Sequence, residues 1–175
     1  MNENDPTDKD LDPHHEQVTL VIDENLEFEV DKGIALLINA CWHNNAVTIM
    51  SCEKLDNGTA YITFMDPLCA DQFLFNTFAY GDIYWDGKKV DPADWEWKTY
   101  GPSGSKDRPY NSVNVYFPPE LIELLTESLA SEQPDPPADP PEPGKMISAL
   151  LPEVEEEFQR LFSEMQGRKK EQEDN

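Results

Sequence analysis

Between Ile34 and Met65 the apolar residues change their period, and this change constrains the fold more than any other feature of the chain. Ile34, Leu37, Ile38, Cys41 and Trp42 recur at i, i+3, i+4, i+7 and i+8, which puts them on one stripe of a helix. Asp31 stands where an N-cap carboxylate can accept the unpaired amides of a first turn. Asn44-Asn45 can end the helix, because Asn enters the left-handed region at low cost. The period then becomes two. Val47, Ile49 and Ser51 face one way, and Thr48, Met50 and Cys52 face the other. Ala60, Ile62 and Phe64 alternate with Tyr61, Thr63 and Met65 in the same manner, and Asn57-Gly58 between the runs suits positive φ. A helix followed by a β-hairpin is expected, with Ile38, Trp42, Ile49, Ile62 and Phe64 meeting in its core.

The flanking stretches supply the rest of the fold. Val18 to Ile22 is a β-branched apolar run, and Leu26, Phe28 and Val30 alternate with Glu27 and Glu29. Asp66-Pro67 opens a second helix, with Leu68, Cys69, Phe73, Leu74, Phe75 and Phe78 as its inner side. Asp82–Trp85, Trp95–Tyr100 and Ser112–Phe117 read as strands, with a mobile loop at 101–110. Pro118-Pro119 starts a helix over 120–130, lined inside by Leu121, Ile122, Leu125 and Leu129. The class expected is α+β: an antiparallel or mixed sheet of about five or six strands, two or three packed helices, and a tethered C-terminal amphipathic helix.

The domain plan follows from composition. Residues 1–17 are acidic, short of aromatics and expected to be disordered. Residues 18–130 form the α+β domain. Six of the 14 residues at 131–144 are Pro, interleaved with Asp and Glu, which makes a stiff acidic spacer. An amphipathic helix is expected over 145–170, and 171–175 is expected to be disordered. The formal net charge of −23 repels phosphate backbones and anionic membrane surfaces, so neither nucleic acid nor membrane is an expected partner. No apolar run approaches the roughly 20 residues that span a bilayer. The acidic N-terminus lacks the basic and apolar regions of a secretory signal. Three cysteines without a CxxC fit a reduced cytoplasmic setting.

Few residues carry chemistry. Cys41, His43, Cys52 and Cys69 could form a Cys₃His metal site, but the one-residue gap between Cys41 and His43 is unlike a structural zinc knuckle. Cys41 lies on the core stripe, where a free thiol acts as a small hydrophobe. Cys52 with His43 as base is the candidate nucleophile pair, with no third group marked to orient it. His14-His15 could be a metal tract, but in an acidic arm the pair reads as solvated. Tyr84, Trp85, Trp95 and Trp97 could line a ligand pocket or complete the core. No bound metal or cofactor is expected.

Beyond the spacer, Met146, Ile147, Leu150 and Leu151 form an apolar turn. Val154, Phe158, Leu161, Phe162 and Met165 then recur at i, i+4, i+7, i+8 and i+11, opposite a Glu-rich face. Arg168-Lys169-Lys170 stands where cations favour a helix C-terminus. Such a stripe must be covered by its own domain, a second copy or another protein. Docking on a protein partner is expected, since the spacer holds two acidic bodies apart; self-association is the alternative.

The order Ala40-Cys41-Trp42, Thr48-x-x-Ser51-Cys52, Ala60-Tyr61-Ile62-x-Phe64, Trp95-x-Trp97 and Val115-x-Phe117-Pro118-Pro119-x-x-Ile122 resembles a group of small uncharacterised bacterial and phage proteins over residues 30–130. The resemblance implies a bacterial or phage-encoded chain and, the group having no established activity, assigns no functional residue. The Thr48–Cys52 strand alone is similar to one in a tRNA-modification enzyme of the wybutosine pathway, whose substrate the negative charge would repel. The function expected is therefore a non-enzymatic, acidic interaction protein that engages a protein partner through its C-terminal helix. Two other readings stay open. One is a small-ligand pocket or a thiol- or zinc-dependent enzyme around Cys52, His43 and Trp95. The other is an acidic mimic of DNA that occupies a nucleic-acid-binding protein.

Overall fold

Asn45 has a left-handed backbone, with φ of 60°, and there the chain turns from helix into strand. The computed structural model describes residues 15–23, 26–101, 111–131, 145–151 and 160. The expected arm up to residue 14, the loop at 102–110, the spacer from 132 to 144, the stripe from Val154 to Met165 and the tail at 171–175 lie outside the described residues.

The elements run β1 (Gln17–Asp23), β2 (Leu26–Asp31), α1 (Ala35–His43), β3 (Thr48–Cys52), β4 (Ala60–Phe64), α2 (Pro67–Phe78), β5 (Tyr84–Trp85), β6 (Lys88–Lys89), β7 (Glu96–Tyr100), β8 (Ser112–Phe117), α3 (Ile122–Ala130) and α4 (Lys145–Leu150). Among the described residues the strands form antiparallel sheets ordered β1-β2, β3-β4-β8-β7 and β5-β6. The fold is α+β. No helix among the described residues is long and apolar enough to cross a membrane.

The core gathers on the central strands. Ile62, Phe64, Val113, Val115 and Phe117 are buried in one cluster with Ile34, Leu37 and Ile38 near α1, Phe73 and Leu74 of α2, and Leu125 and Leu129 of α3. Phe64 and Phe73 set their rings 5.1 Å apart. Burying each such side chain stabilises the fold by about 1.5–3 kcal/mol. Asp66 caps α2, its carboxylate accepting the Cys69 N–H at 2.9 Å, and Pro67 fills the first turn where no donor is needed.

Two expectations at the helix–hairpin unit need correction. Asp31 does not cap α1: the residue before the helix is Ile34, with no side-chain cap, and the Asp31 carboxylate turns elsewhere. Ile49 does not reach the core. Thr48 pairs with Phe64 and Met50 with Thr63, so Ile49 is the extra residue of a bulge. The bulge leaves Ile49 39% exposed beside the equally exposed Met50, while Thr48 and Cys52 are buried. Trp42 is half-buried, packed on Phe28 at 5.4 Å and donating its indole N–H to Thr48 Oγ1 at 3.0 Å.

The start of the C-terminal segment also departs from expectation. Ile147 and Leu151 are buried in the domain's own core, with Met146 and Leu150 packed beside them. The Ile147 N–H donates to Asp71 Oδ1 of α2 at 3.0 Å. The removal of apolar surface from water that was expected to hold these residues on a partner holds them here on their own domain.

Candidate functional site

The antiparallel register of β1 and β2 sets Gln17 opposite Asp31, so the residues just before β1 lie beside the end of β2. The Lys32 N–H continues the ladder to Glu16 O at 2.7 Å. His15, expected to be solvated in the arm, is thereby held with Nδ1 3.0 Å from Asp31 Oδ2. The end of β3 closes the third side. The Cys52 Sγ lies 3.7 Å from the same His15 Nδ1, and the Glu53 N–H donates to Asp31 Oδ2 at 3.2 Å. His15, Asp31 and Cys52 are the one group of potential metal ligands that converges among the described residues.

The cluster adjoins a cleft of about 190 Å³ between β2 and β3. Phe28, Val30, Ile49, Met50 and Tyr61 give it an apolar lining, and Asp31 and Cys52 give it a polar end. Burial alone would raise the Asp31 carboxyl, but hydrogen bonds from His15, the Glu53 N–H and the Cys52 thiol outweigh it and hold the group below its ordinary range. Burial, reinforced by the negative charges of Asp31 and Glu53, pushes the Cys52 thiol up to about 12. Burial likewise pushes the Tyr61 phenol up to about 12.

This arrangement is not a nucleophilic relay. A Cys–His–Asp relay uses opposite nitrogens of the imidazole, one toward the thiol and one toward the carboxylate. Here Nδ1 faces both, and the thiol stays protonated at neutral pH. His43, the candidate base for Cys52, is exposed at the end of α1 and outside the cluster.

The Cys₃His set does not assemble either. Cys41 is fully buried on the core stripe, and Cys69 is buried in the first turn of α2 beside Asp66. Of the four proposed ligands, Cys52 alone belongs to the converging group.

The aromatic set divides in two. Trp95 is core, stacked on Trp97 at 6.3 Å and touching Phe73, Phe78 and Phe117. Trp97 donates its indole N–H to Pro92 O at 2.8 Å. Tyr84 and Trp85 instead stand on a tight hairpin, 59% and 44% exposed. Asp86 and Gly87 supply its turn with φ of 49° and 71°, the pair of left-handed residues a two-residue hairpin requires. The base is anchored: Ile83 and Val90 are buried, and the Val90 N–H donates to Ile83 O at 2.8 Å. Lys89 pairs with Asp82 at 2.6 Å across the ribbon.

Sequence reasoning set His15 aside as solvated and missed this hairpin. The Asp86-Gly87 pair was a readable signal for the turn. His15 had none, because its partners lie 16 and 37 residues away and meet it through sheet register alone. No family model, no curated protein and no solved structure matches this chain, so the resemblance to bacterial and phage proteins adds nothing to the geometry.

Proposed function

We propose that this chain is a non-enzymatic, acidic interaction protein whose Ile83–Val90 hairpin is its rigid contact with a protein partner. One observation carries the reading: Tyr84 and Trp85 are exposed at the tip of a ribbon whose base is fixed in the core. Large aromatic side chains dominate the energetics of protein interfaces. Holding them on a closed turn lowers the entropy lost when they dock. Lys88 and Lys89 stand on the same ribbon, while the net charge of −23 surrounds them. A basic partner is drawn in by the overall field and positioned by the aromatic tip. The stripe Val154, Phe158, Leu161, Phe162 and Met165 offers a second contact by sequence.

The test is affinity capture from extracts of the source cells, comparing the wild-type chain with a Tyr84→Ser, Trp85→Ser variant. Far-ultraviolet circular dichroism of both proteins serves as the folding control. The reading expects a protein retained by the wild-type chain, weakened at high salt, and lost from the variant. Equal retention by both chains contradicts it.

A further inference from the structure

Glu53 Oε2 is a buried carboxylate oxygen with no hydrogen-bond partner among the described residues. The carboxylate is tucked against Gly33, where a Cβ would collide with it. Its other oxygen, Oε1, lies 3.9 Å from His15 Nδ1. A buried carboxylate oxygen is costly to leave without a donor or a cation.

The neighbouring atoms point to a cation. His15 Nδ1, Asp31 Oδ2 and Cys52 Sγ all lie within 4.8 Å of one another, with the nitrogen 3.0 Å from the oxygen and 3.7 Å from the sulfur. Four-coordinate zinc holds nitrogen and oxygen at about 2.0–2.2 Å and sulfur at about 2.3 Å, so donors at adjacent corners of its tetrahedron stand about 3.3–3.6 Å apart. The two distances from His15 Nδ1 already approximate that spacing. Hydrogen bonding within the group satisfies Asp31 but leaves Glu53 Oε2 unpartnered.

We infer that His15, Asp31 and Cys52 bind a divalent cation of the zinc class, with the Glu53 carboxylate as fourth ligand. Sulfur and imidazole donors select such an ion over magnesium or calcium, which take oxygen. Binding replaces the Cys52 S–H bond with a metal–sulfur bond and releases the proton to solvent. The ion joins three chain positions, the residue before β1, the end of β2 and the end of β3, and so fastens the N-terminal hairpin to the main sheet. The site is separate from the Ile83–Val90 ribbon and stands or falls apart from the interaction reading.

Cobalt(II) reports directly on thiolate ligation. The full chain, stripped of metal with a chelator, is titrated with Co²⁺ and followed for a sulfur-to-cobalt charge-transfer band and for tetrahedral d–d absorption. The expected result is saturation at one ion per chain, displacement by Zn²⁺, and loss of the band in Cys52→Ser. Asp31→Asn and His15→Ala should each weaken binding at least about tenfold, while Cys69→Ser should leave it unchanged. Circular dichroism establishes that each variant is folded. His15→Ala, at a half-buried position near the start of the described chain, removes a ligand without opening the core. Absence of the charge-transfer band in the wild-type chain overturns the site. So does a band that survives Cys52→Ser, or His15→Ala binding as tightly as the wild type.

Discussion

The Val90 N–H donates to Ile83 O at 2.8 Å, and both side chains are buried, so the aromatic ribbon is closed at its base by the core itself. Its tip depends on Gly87, whose φ of 71° no β-carbon favours. Open space surrounds that position, so Gly87→Ala isolates the backbone effect. The substitution should cost about 1–2 kcal/mol, a strain that opening of the turn relieves. The check is the Trp85 indole resonance, which should move toward its random-coil position. An unshifted indole and an unchanged melting temperature would show a turn of another kind.

Ile147 tests whether the segment after the spacer belongs to the domain. Its side chain is fully buried and its N–H is bonded to Asp71. Ile147→Ala should destabilise the fold by about 2–4 kcal/mol in urea unfolding. Its amide should also exchange slowly in dilute protein. Fast exchange together with an unaltered unfolding midpoint would detach this segment from the core.

The thiols should be inert. Burial raises all three, with Cys52 and Cys69 pushed up to about 12, Asp66 adding to the effect at Cys69. Each unit of upward shift cuts the thiolate fraction about tenfold. Native metal-free protein should therefore react with a disulfide reagent at neutral pH about a hundredfold or more slowly than the same chain in urea. One fast thiol in the folded state would restore the nucleophile reading.

The elements that local chemistry dictates were legible in the sequence. Asp66-Pro67 gave the cap and first turn of α2, Asn44-Asn45 ended α1 at a left-handed residue, and Gly58 holds φ of 83° where a turn was expected. What escaped depends on pairing across the chain. The bulge at Ile49 is invisible to alternation, because one extra residue reverses every side chain beyond it. Asp31 looked like a cap because it stands shortly before the helix, whereas its side-chain partners include His15 and the Glu53 N–H. The Cys₃His candidate does not assemble for the same reason: closeness in sequence put Cys41 near His43 but could not bring either to Cys52.

The cap itself carries a measurable share of stability. Asp66 is buried and its carboxylate accepts the Cys69 amide. Asp66→Ala should cost about 1–2 kcal/mol, and Asp66→Asn distinctly less, since Asn also caps well. Thermal unfolding of both variants checks the order; equal losses would mean that the capping bond is not the cause.

Site-specific photo-crosslinking tests the proposed contact most directly. A photoreactive amino acid is placed at Trp85, on the ribbon, and in a second protein at Leu36, which is 73% exposed on α1. Irradiated in the source cells, the Trp85 position should yield one dominant protein adduct, and the Leu36 position should not. No adduct at Trp85, or the same adducts from both positions, would contradict the assignment of the ribbon as the contact.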